Sequence, residues 1–290
     1  MSEPDDYLEP GLTIVIPFWD LEHEILLDAV ASLAEQGRRY RTIVVDNASR
    51  APLPELPPDV EVVRLPKRVN VGEARNAGLA LVRTSHVLFL DADDALFPGS
   101  IPFLYSQLEA CPEAVASAGA GALFKRGVGI VPFRRRSWTH RLLNLRRLQG
   151  RPLLLALVNT VRMILPTSCV ILRTDVVRRV GGFSADEAEE DWVLSAALAF
   201  QGPVVAGSYR VRRYGLRSGS LNQLKATDWR ISSHARRELR RRLRRDPHVP
   251  PLVRAGSPIL ALLHGKPALR RLRAWAERRL ARMDVRGRVQ

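Results

Sequence analysis

Val87-Leu88-Phe89-Leu90-Asp91-Ala92-Asp93-Asp94 runs from four apolar residues straight into three carboxylates. Four consecutive apolar side chains suit a strand buried on both faces, which places Asp91 to Asp94 at its C-terminal end. In an open α/β sheet, ligands bind at that edge. Asp91 and Asp93 are two residues apart, a spacing that on extended chain turns both carboxylates the same way. Such charges repel unless one stays protonated or a cation lies between them. Oxygen donors of this kind suit Mg²⁺ or Mn²⁺, which complete their shells with water and substrate phosphates. The pattern points to a metal-bound nucleotide, with a solvated acidic turn as the plain alternative.

The sequence upstream alternates strands and helices. Leu12 to Pro17 reads as a strand closed by proline, and Leu26, Val30, Leu33 and Ala34 recur at helical spacing up to Gly37. Thr42 to Asn47 is a second strand ending in polar residues, and Val60 to Leu65 a third after the Pro-rich loop 52–58. Asn70 opens a helix that runs through Ala77, Leu79, Ala80 and Leu81 to the acidic strand. This order predicts a mainly parallel, doubly wound sheet whose strand ends at Pro17, Asp46 and Asp91 share one edge.

Taken together, Ile14-Val15-Ile16-Pro17, Val44-Val45-Asp46-Asn47-Ala48-Ser49, Asn70-Val71-Gly72 with Arg75-Asn76, and Phe89-Leu90-Asp91-Ala92-Asp93-Asp94 resemble the ordered motifs of family 2 glycosyltransferases of the GT-A fold. Gly181-Gly182-Phe183 followed by Glu190-Asp191-Trp192 is similar to a further pair of that family's motifs, and the resemblance spans roughly residues 11 to 222. It implies a Rossmann-like GT-A domain and an inverting transfer from a nucleotide-sugar donor, UDP being the family's commonest nucleotide. It also implies that Pro17, Phe18 and Asp46 line the base and ribose pocket, that Arg75 lies on the nucleotide side, and that Asn70 and Gly72 shape the turn into their helix. By the same resemblance Asp91 and Asp93 hold the diphosphate through Mn²⁺ or Mg²⁺, with Asp93 the direct ligand, and Asp191 and Glu190 of the Glu190-Asp191-Trp192 element are the catalytic residues, Asp191 being the base.

The chemistry has its own logic. A divalent cation on the leaving diphosphate offsets the charge that develops as the sugar-phosphate bond breaks. The acceptor hydroxyl must lose a proton as it attacks the opposite face of an oxocarbenium-like sugar, and a nearby carboxylate can take it. Structural roles compete with each assignment: Asp46 could satisfy loop N–H groups, and Arg75 could pair with Glu73 or Asp46 on the surface. The acidic turn Glu187 to Asp191 would also suit a helix N-terminus without catalysis. Gly182 and Phe183 read as architecture, a tight turn and a buried aromatic. Many members of the family carry a histidine after the base helix, whereas residues 209–220 contain none; an arginine such as Arg213 or Arg217 could neutralise the diphosphate instead.

Charge divides the chain. The net charge is +15, yet residues 229–290 hold 18 Lys and Arg against 4 Asp and Glu, so the first 228 residues are near neutral. Within those, Lys125 to Thr174 carries 11 basic residues and no acid. Length fits a catalytic domain over 1–228, with a nucleotide-sugar half at about 11–98 and an acceptor half at about 99–228, plus a basic helical extension over 229–290. In that extension Ile231, Ala235, Leu239 and Leu243 mark one amphipathic helix, and Leu269, Leu272, Ala276, Leu280 and Met283 a second that contains Trp275. Leu153 to Val158, after the Arg-rich stretch 134–151, is too short and polar to cross a bilayer. Basic amphipathic helices suit an anionic membrane surface, and also a solvated helix face or a partner-binding tail. Nucleic acid is disfavoured, because no motif for it appears and stacking aromatics are not interleaved.

Met1 to Pro10 is acidic and offers no signal-peptide core, and Cys111 with Cys169 gives neither a disulfide framework nor a zinc pattern. The expectation is a cytoplasmic enzyme, peripheral on the inner membrane face, that transfers sugar to a glycan, a lipid-linked or a small-molecule acceptor in envelope synthesis. A metal-dependent nucleotidyltransferase and a non-catalytic scaffold on the same fold are the competing classes; neither explains the Glu190-Asp191-Trp192 element and the metal motif together.

Overall fold

The computed structural model of the chain describes residues 11–125, 129–130, 151–161, 165, 167–185, 189–215 and 231–263. Arg217, Glu187, the Arg-rich stretch 134–150, Met1 to Pro10 and the second tail helix lie outside the described residues.

The first half is built from β1 (Leu12–Phe18), α1 (His23–Ala34), β2 (Arg41–Asp46), β3 (Val60–Arg64), α2 (Val71–Leu81) and β4 (His86–Phe89). The strands pair in parallel in the order β3-β2-β1-β4. β1 and β2 are buried almost throughout, as continuous Val/Ile runs require when both faces are covered. β1 continues through Pro17 to Phe18 rather than stopping at the proline. The reason is local: the register with β4 ends at Val15 and Phe89, so Pro17 meets no donor requirement on that side. Gly78 lets α2 lie directly on the sheet, since a Cβ there would come 2.4 Å from Val15.

The second half comprises β5 (Asp94–Leu96), α3 (Ser100–Glu109), β6 (Ala116–Lys125), β7 (Gly129–Ile130), α4 (Pro152–Val161), β8 (Val170–Arg173), α5 (Thr174–Arg179), α6 (Glu190–Leu198) and β9 (Val204–Gly215). β8 is antiparallel to both β4 and β6, and β9 runs parallel to β6 but antiparallel to β5. The sheet is therefore mixed beyond β4. Leu153 and Leu154 of α4 are exposed, whereas Leu155 and Ala156 are buried.

Two helices complete the described chain, α7 (Ile231–Arg245) and α8 (Pro251–Leu263). Sequence spacing treats α7 as the start of a separate extension; in the structure Ala235, Leu239, Leu243 and Val249 form one buried cluster with Trp192, Val193 and Ala196 of α6. The apolar stripe of α7 is covered by the catalytic part, and Arg237, Arg240, Arg241, Arg244 and Arg245 face outward. Among the described residues no helix is long and apolar enough to cross a membrane.

Candidate active site

The C-terminal edge of the parallel strands is knitted together by polar side chains. Asp46 Oδ1 accepts from the Ser49 N–H at 2.9 Å and Oδ2 from Arg64 at 2.5 Å, and the residue is 1% exposed. As placed, this carboxylate orders the corner after β2, where Ala48 adopts φ +56. Asn47 clasps Val69 from both sides, at 2.7 and 2.8 Å, and so fixes the approach to α2. Pro17 is buried at the end of β1, and Phe18 packs into the core. The indole of Trp19 lies beneath the Arg68 guanidinium, 3.5 Å from its carbon.

Asn70 is the N-cap of α2 in a full capping box with Glu73, and its amide also donates to Ala185 O at 2.7 Å. Gly72 follows because nothing larger fits: a Cβ would stand 2.3 Å from Ser184 O and 3.2 Å from the Glu190 side chain. One helical turn on, Asn76 holds the backbone of Phe183, accepting from its N–H at 2.9 Å and donating to its carbonyl at 3.0 Å. The Gly181–Gly182 turn has φ of +88 and +63, and Phe183 is buried edge-on against Phe89 at 4.7 Å. The Gly-Gly-Phe element is architecture, as its residue types suggest.

Arg75 is the centre of the arrangement. Rather than pairing with Glu73 or Asp46 on the surface, it is buried, donating to Asp91 Oδ1 at 2.5 Å and to Glu190 Oε1 at 2.8 Å. Its guanidinium lies over Phe183, 5.0 Å from the ring centre. Helical geometry explains the direction, since Gly72, Arg75 and Asn76 share the face of α2 turned to α6 and the Gly-Gly-Phe turn.

The acidic segment does not extend the strand. β4 ends at Phe89, and Asp91 to Asp94 forms a turn closed by the Asp94 N–H on Asp91 O at 2.9 Å. Ser168 supports it by accepting from the Asp91 N–H at 3.1 Å. β9 closes the other side: Gly215 packs so tightly that a Cβ would stand 2.0 Å from Asp93 O, and Arg212 lies 2.5 Å from Asp94 Oδ2 and 3.5 Å from Asp91 Oδ2. Arg213, one residue on, turns away and bonds Leu96 O at 2.6 Å and Glu35 at 3.2 Å. Arg213 therefore does not take the place of the absent histidine; Arg212 holds the acidic turn. Of the described arginines at 210, 212 and 213, the register of β9 on β5, which pairs Leu96 with Arg212, selects the one that meets the turn; Arg217 lies outside the described residues.

The charges are strongly coupled. Burial alone would raise the Asp91 pKa, but Arg75 and then Arg212 outweigh it and hold the carboxyl below its usual range. Asp94 is pushed up to about 7, chiefly by burial, with Arg212 opposing and the charges of Asp91 and Asp93 adding. Burial also works against the charge on Arg75 and Arg212, and the surrounding carboxylates more than restore it. Among the described residues, Asp91, Asp93, Asp94 and Glu190 bring carboxyl groups to this edge, and the guanidinium groups of Arg75 and Arg212 pair with Asp91, Asp94 and Glu190. An all-oxygen donor set of this kind fits a hard divalent cation. No group of three or more His, Cys, Asp or Glu converges as a closed metal cage among the described residues.

Asp191 lies in the first turn of α6, half-buried, with Oδ1 accepting from the Trp192 N–H at 2.8 Å. It borders a small apolar space lined by Leu165, Val170, Leu194 and Leu198. Glu189 precedes it in a left-handed conformation, φ +63. Trp192 anchors the turn, donating its indole N–H to Asn159 O at 2.8 Å.

Comparison with known proteins gives a consistent result. The model for "Glycosyl transferase family 2" matches residues 13–181. The succinoglycan biosynthesis protein ExoO of Rhizobium meliloti (strain 1021) is 27% identical over 121 residues, which are 40% of this chain and 35% of that protein, so the match spans about a third of the relative. A mannosyltransferase of Pyrobaculum calidifontis, solved with GDP-Man and Mn²⁺, superposes with a TM-score of 0.62 at 19% identity, covering 90% of this chain and 71% of that one. S. aureus TarS 1-349 in complex with UDP-GlcNAc gives a TM-score of 0.60 at 16% identity, covering 87% and 70%. These likenesses show that the fold is GT-A.

Proposed function

The chain belongs to glycosyl transferase family 2, and from that premise we propose that it moves a sugar from a nucleotide-diphosphate donor, UDP foremost, to an acceptor hydroxyl with inversion at the anomeric carbon. The observation that carries the proposal is the Arg75 bridge, because one guanidinium spans from the Asp-x-Asp turn to the first turn of the base helix. Donor and acceptor chemistry are thereby held in one frame.

In this reading Asp91 and Asp93 are the residues that would hold Mn²⁺ or Mg²⁺, which when bound would supply charge stabilisation for the leaving diphosphate. Arg212 keeps Asp91 and Asp94 in place on the side facing β9. Asp191 takes the acceptor's proton on a carboxylate oxygen as the hydroxyl attacks. Glu190, whose side chain is committed to Arg75, orients that turn rather than exchanging protons. The strand ends at Pro17, Phe18 and Asp46 and the start of α2 at Asn70 and Gly72 shape the nucleotide pocket. We place the acceptor in envelope glycan or glycolipid synthesis, as the likeness to a succinoglycan biosynthesis protein supports.

The outward arginines of α7 support peripheral attachment to an anionic membrane by charge, without insertion of that helix, at about 1 kcal/mol for each basic residue near the surface. Flotation with anionic vesicles at low and high salt tests this, and failure at low salt removes it. For the activity itself, thermal shift against UDP-, GDP- and dTDP-sugars with and without Mn²⁺ or Mg²⁺ is decisive. A metal-dependent rise with one nucleotide sustains the proposal; no shift with any combination refutes the donor site.

A further inference from the structure

α5 ends in a turn over Val180, Gly181 and Gly182, whose N–H groups close back on Val176 O, Arg178 O and Val177 O, so the carbonyls of the turn itself are left for a donor from outside the helix. Arg242 of α7 supplies one. Its Nη1 donates to Val180 O at 2.9 Å and to Gly182 O at 2.6 Å, and its Nη2 to Gly181 O at 3.4 Å. A cation at a helix C-terminus is also favoured by the dipole. Glu238, one turn earlier on α7, accepts from Arg242 Nε at 2.9 Å, and the side chain is only 13% exposed.

The turn that Arg242 grips is the one Asn76 clasps through Phe183, and Phe183 in turn lies under Arg75, which holds Asp91 and Glu190. On its apolar face the same helix buries Leu239 and Leu243 against Trp192 and Val193, directly after Asp191. α7 therefore holds both ends of the segment between Gly181 and Trp192. We propose that Arg242 is a positioning residue of the active site: by fixing the Gly181–Gly182 carbonyls it holds the turn that carries Phe183 beneath Arg75, while its helix holds Trp192 and Val193, and so keeps Arg75 and the first turn of α6 in register. The role rests on the glycosyltransfer reading for its catalytic meaning, but its geometric content stands apart from that reading.

The test compares the full chain with Arg242→Ala and Arg242→Lys. Hydrogen exchange reports the geometry: in Arg242→Ala the amides of Phe183 and Val193, which bond Asn76 Oδ1 and Glu189 O, exchange at least about tenfold faster, while those of Ile14 and Val44 stay unchanged. Arg242→Lys keeps a cation at the carbonyls and recovers part of the protection. Unchanged exchange, equal acceleration in β1 and β2, or a lysine variant no better than alanine would each overturn the proposal. Nucleotide release from UDP-GlcNAc and from GDP-Man with Mn²⁺ reports the consequence: kcat falls about tenfold in Arg242→Ala while the donor KM stays within about twofold. An undiminished kcat overturns the positioning role. If the unaltered chain releases nucleotide from neither donor, the glycosyltransfer reading is what fails for these sugars, and the exchange data still decide whether Arg242 holds the loop.

Discussion

Replacing Arg75 by methionine keeps most of the side-chain volume and removes the charge that Asp91 and Glu190 share. Both bonds are short, 2.5 and 2.8 Å, and the side chains of Arg75 and Glu190 are 5% and 4% exposed against 24% for Asp91, so water can reach the Asp91 end of the bridge but not replace the guanidinium at Glu190. Breaking a buried pair in this way costs about 3–5 kcal/mol. In urea that is a midpoint lowered by roughly 1–2 M, with slopes of about 2–3 kcal/mol/M. The penalty depends on pH with a definite sign. In the native chain the Asp91 pKa is depressed, because Arg75 and Arg212 outweigh the effect of burial; its stabilising contribution is present above the ordinary carboxylate pKa and lost as pH falls through the depressed value. Without Arg75 that contribution shrinks, so the gap between native chain and variant holds from pH 7 down to the ordinary carboxylate pKa and narrows as pH falls below it. A companion substitution, Glu190→Gln, leaves one fewer unpaired charge and should return a substantial part of the loss in a double-mutant cycle. Urea unfolding followed by tryptophan fluorescence at pH 7 and at pH values below the ordinary carboxylate pKa measures all of this. A cost below about 1 kcal/mol at pH 7, as for an exposed pair, or one unaltered by pH and by Glu190→Gln, would refute the reasoning.

Other outcomes follow from the same geometry. Asp191→Asn should leave donor binding intact and lower kcat by about 10²–10⁴, the range for loss of a general base, whereas Asp93→Ala should abolish the metal-dependent thermal shift at nearly unchanged melting temperature without ligand; the reverse pattern would exchange their roles. Gly72→Ala should destabilise the fold by about 1–3 kcal/mol through overpacking against Ser184 O, read in the same unfolding assay. Cys169 is buried and its thiol is pushed up to about 12, chiefly by burial, so a disulfide reagent at pH 8 should modify only Cys111 until the chain unfolds; two fast thiols would contradict the placement. Burial, followed by Arg173, lowers the His86 pKa, so its NMR titration midpoint should fall below 6.5 and its protonation should cost stability as pH drops below that value.

Much of the first half was legible because local signals agree with one another. Continuous Val/Ile runs ending in polar residues gave β1, β2 and β4, and Asn70 marked the start of α2 at the residue that caps it. The strand ends gathered Pro17, Asp46 and Asp91 on one edge, as parallel order demands. Partnerships were harder to read. That Arg75 reaches Asp91 and Glu190 depends on how α2 meets α6, and that Arg212 rather than Arg213 supports the acidic turn depends on the register of β9. Neither is written in a periodicity. The α7 stripe of Ala235, Leu239 and Leu243 is the clearest ambiguity, because a helix that lies on lipid and one that lies on protein need the same apolar spacing. Only the complementary face on Trp192 and Val193 settles it.

The burial of Trp192 beneath Leu239 and Leu243 also says something about biosynthesis. Both leucines leave the ribosome well after α6 does, so a nascent chain with the whole sheet already translated still lacks the side chains that cover this face of Trp192. The means to hide that surface arrive late in translation, and until then the half-built chain presents a natural hold for chaperones.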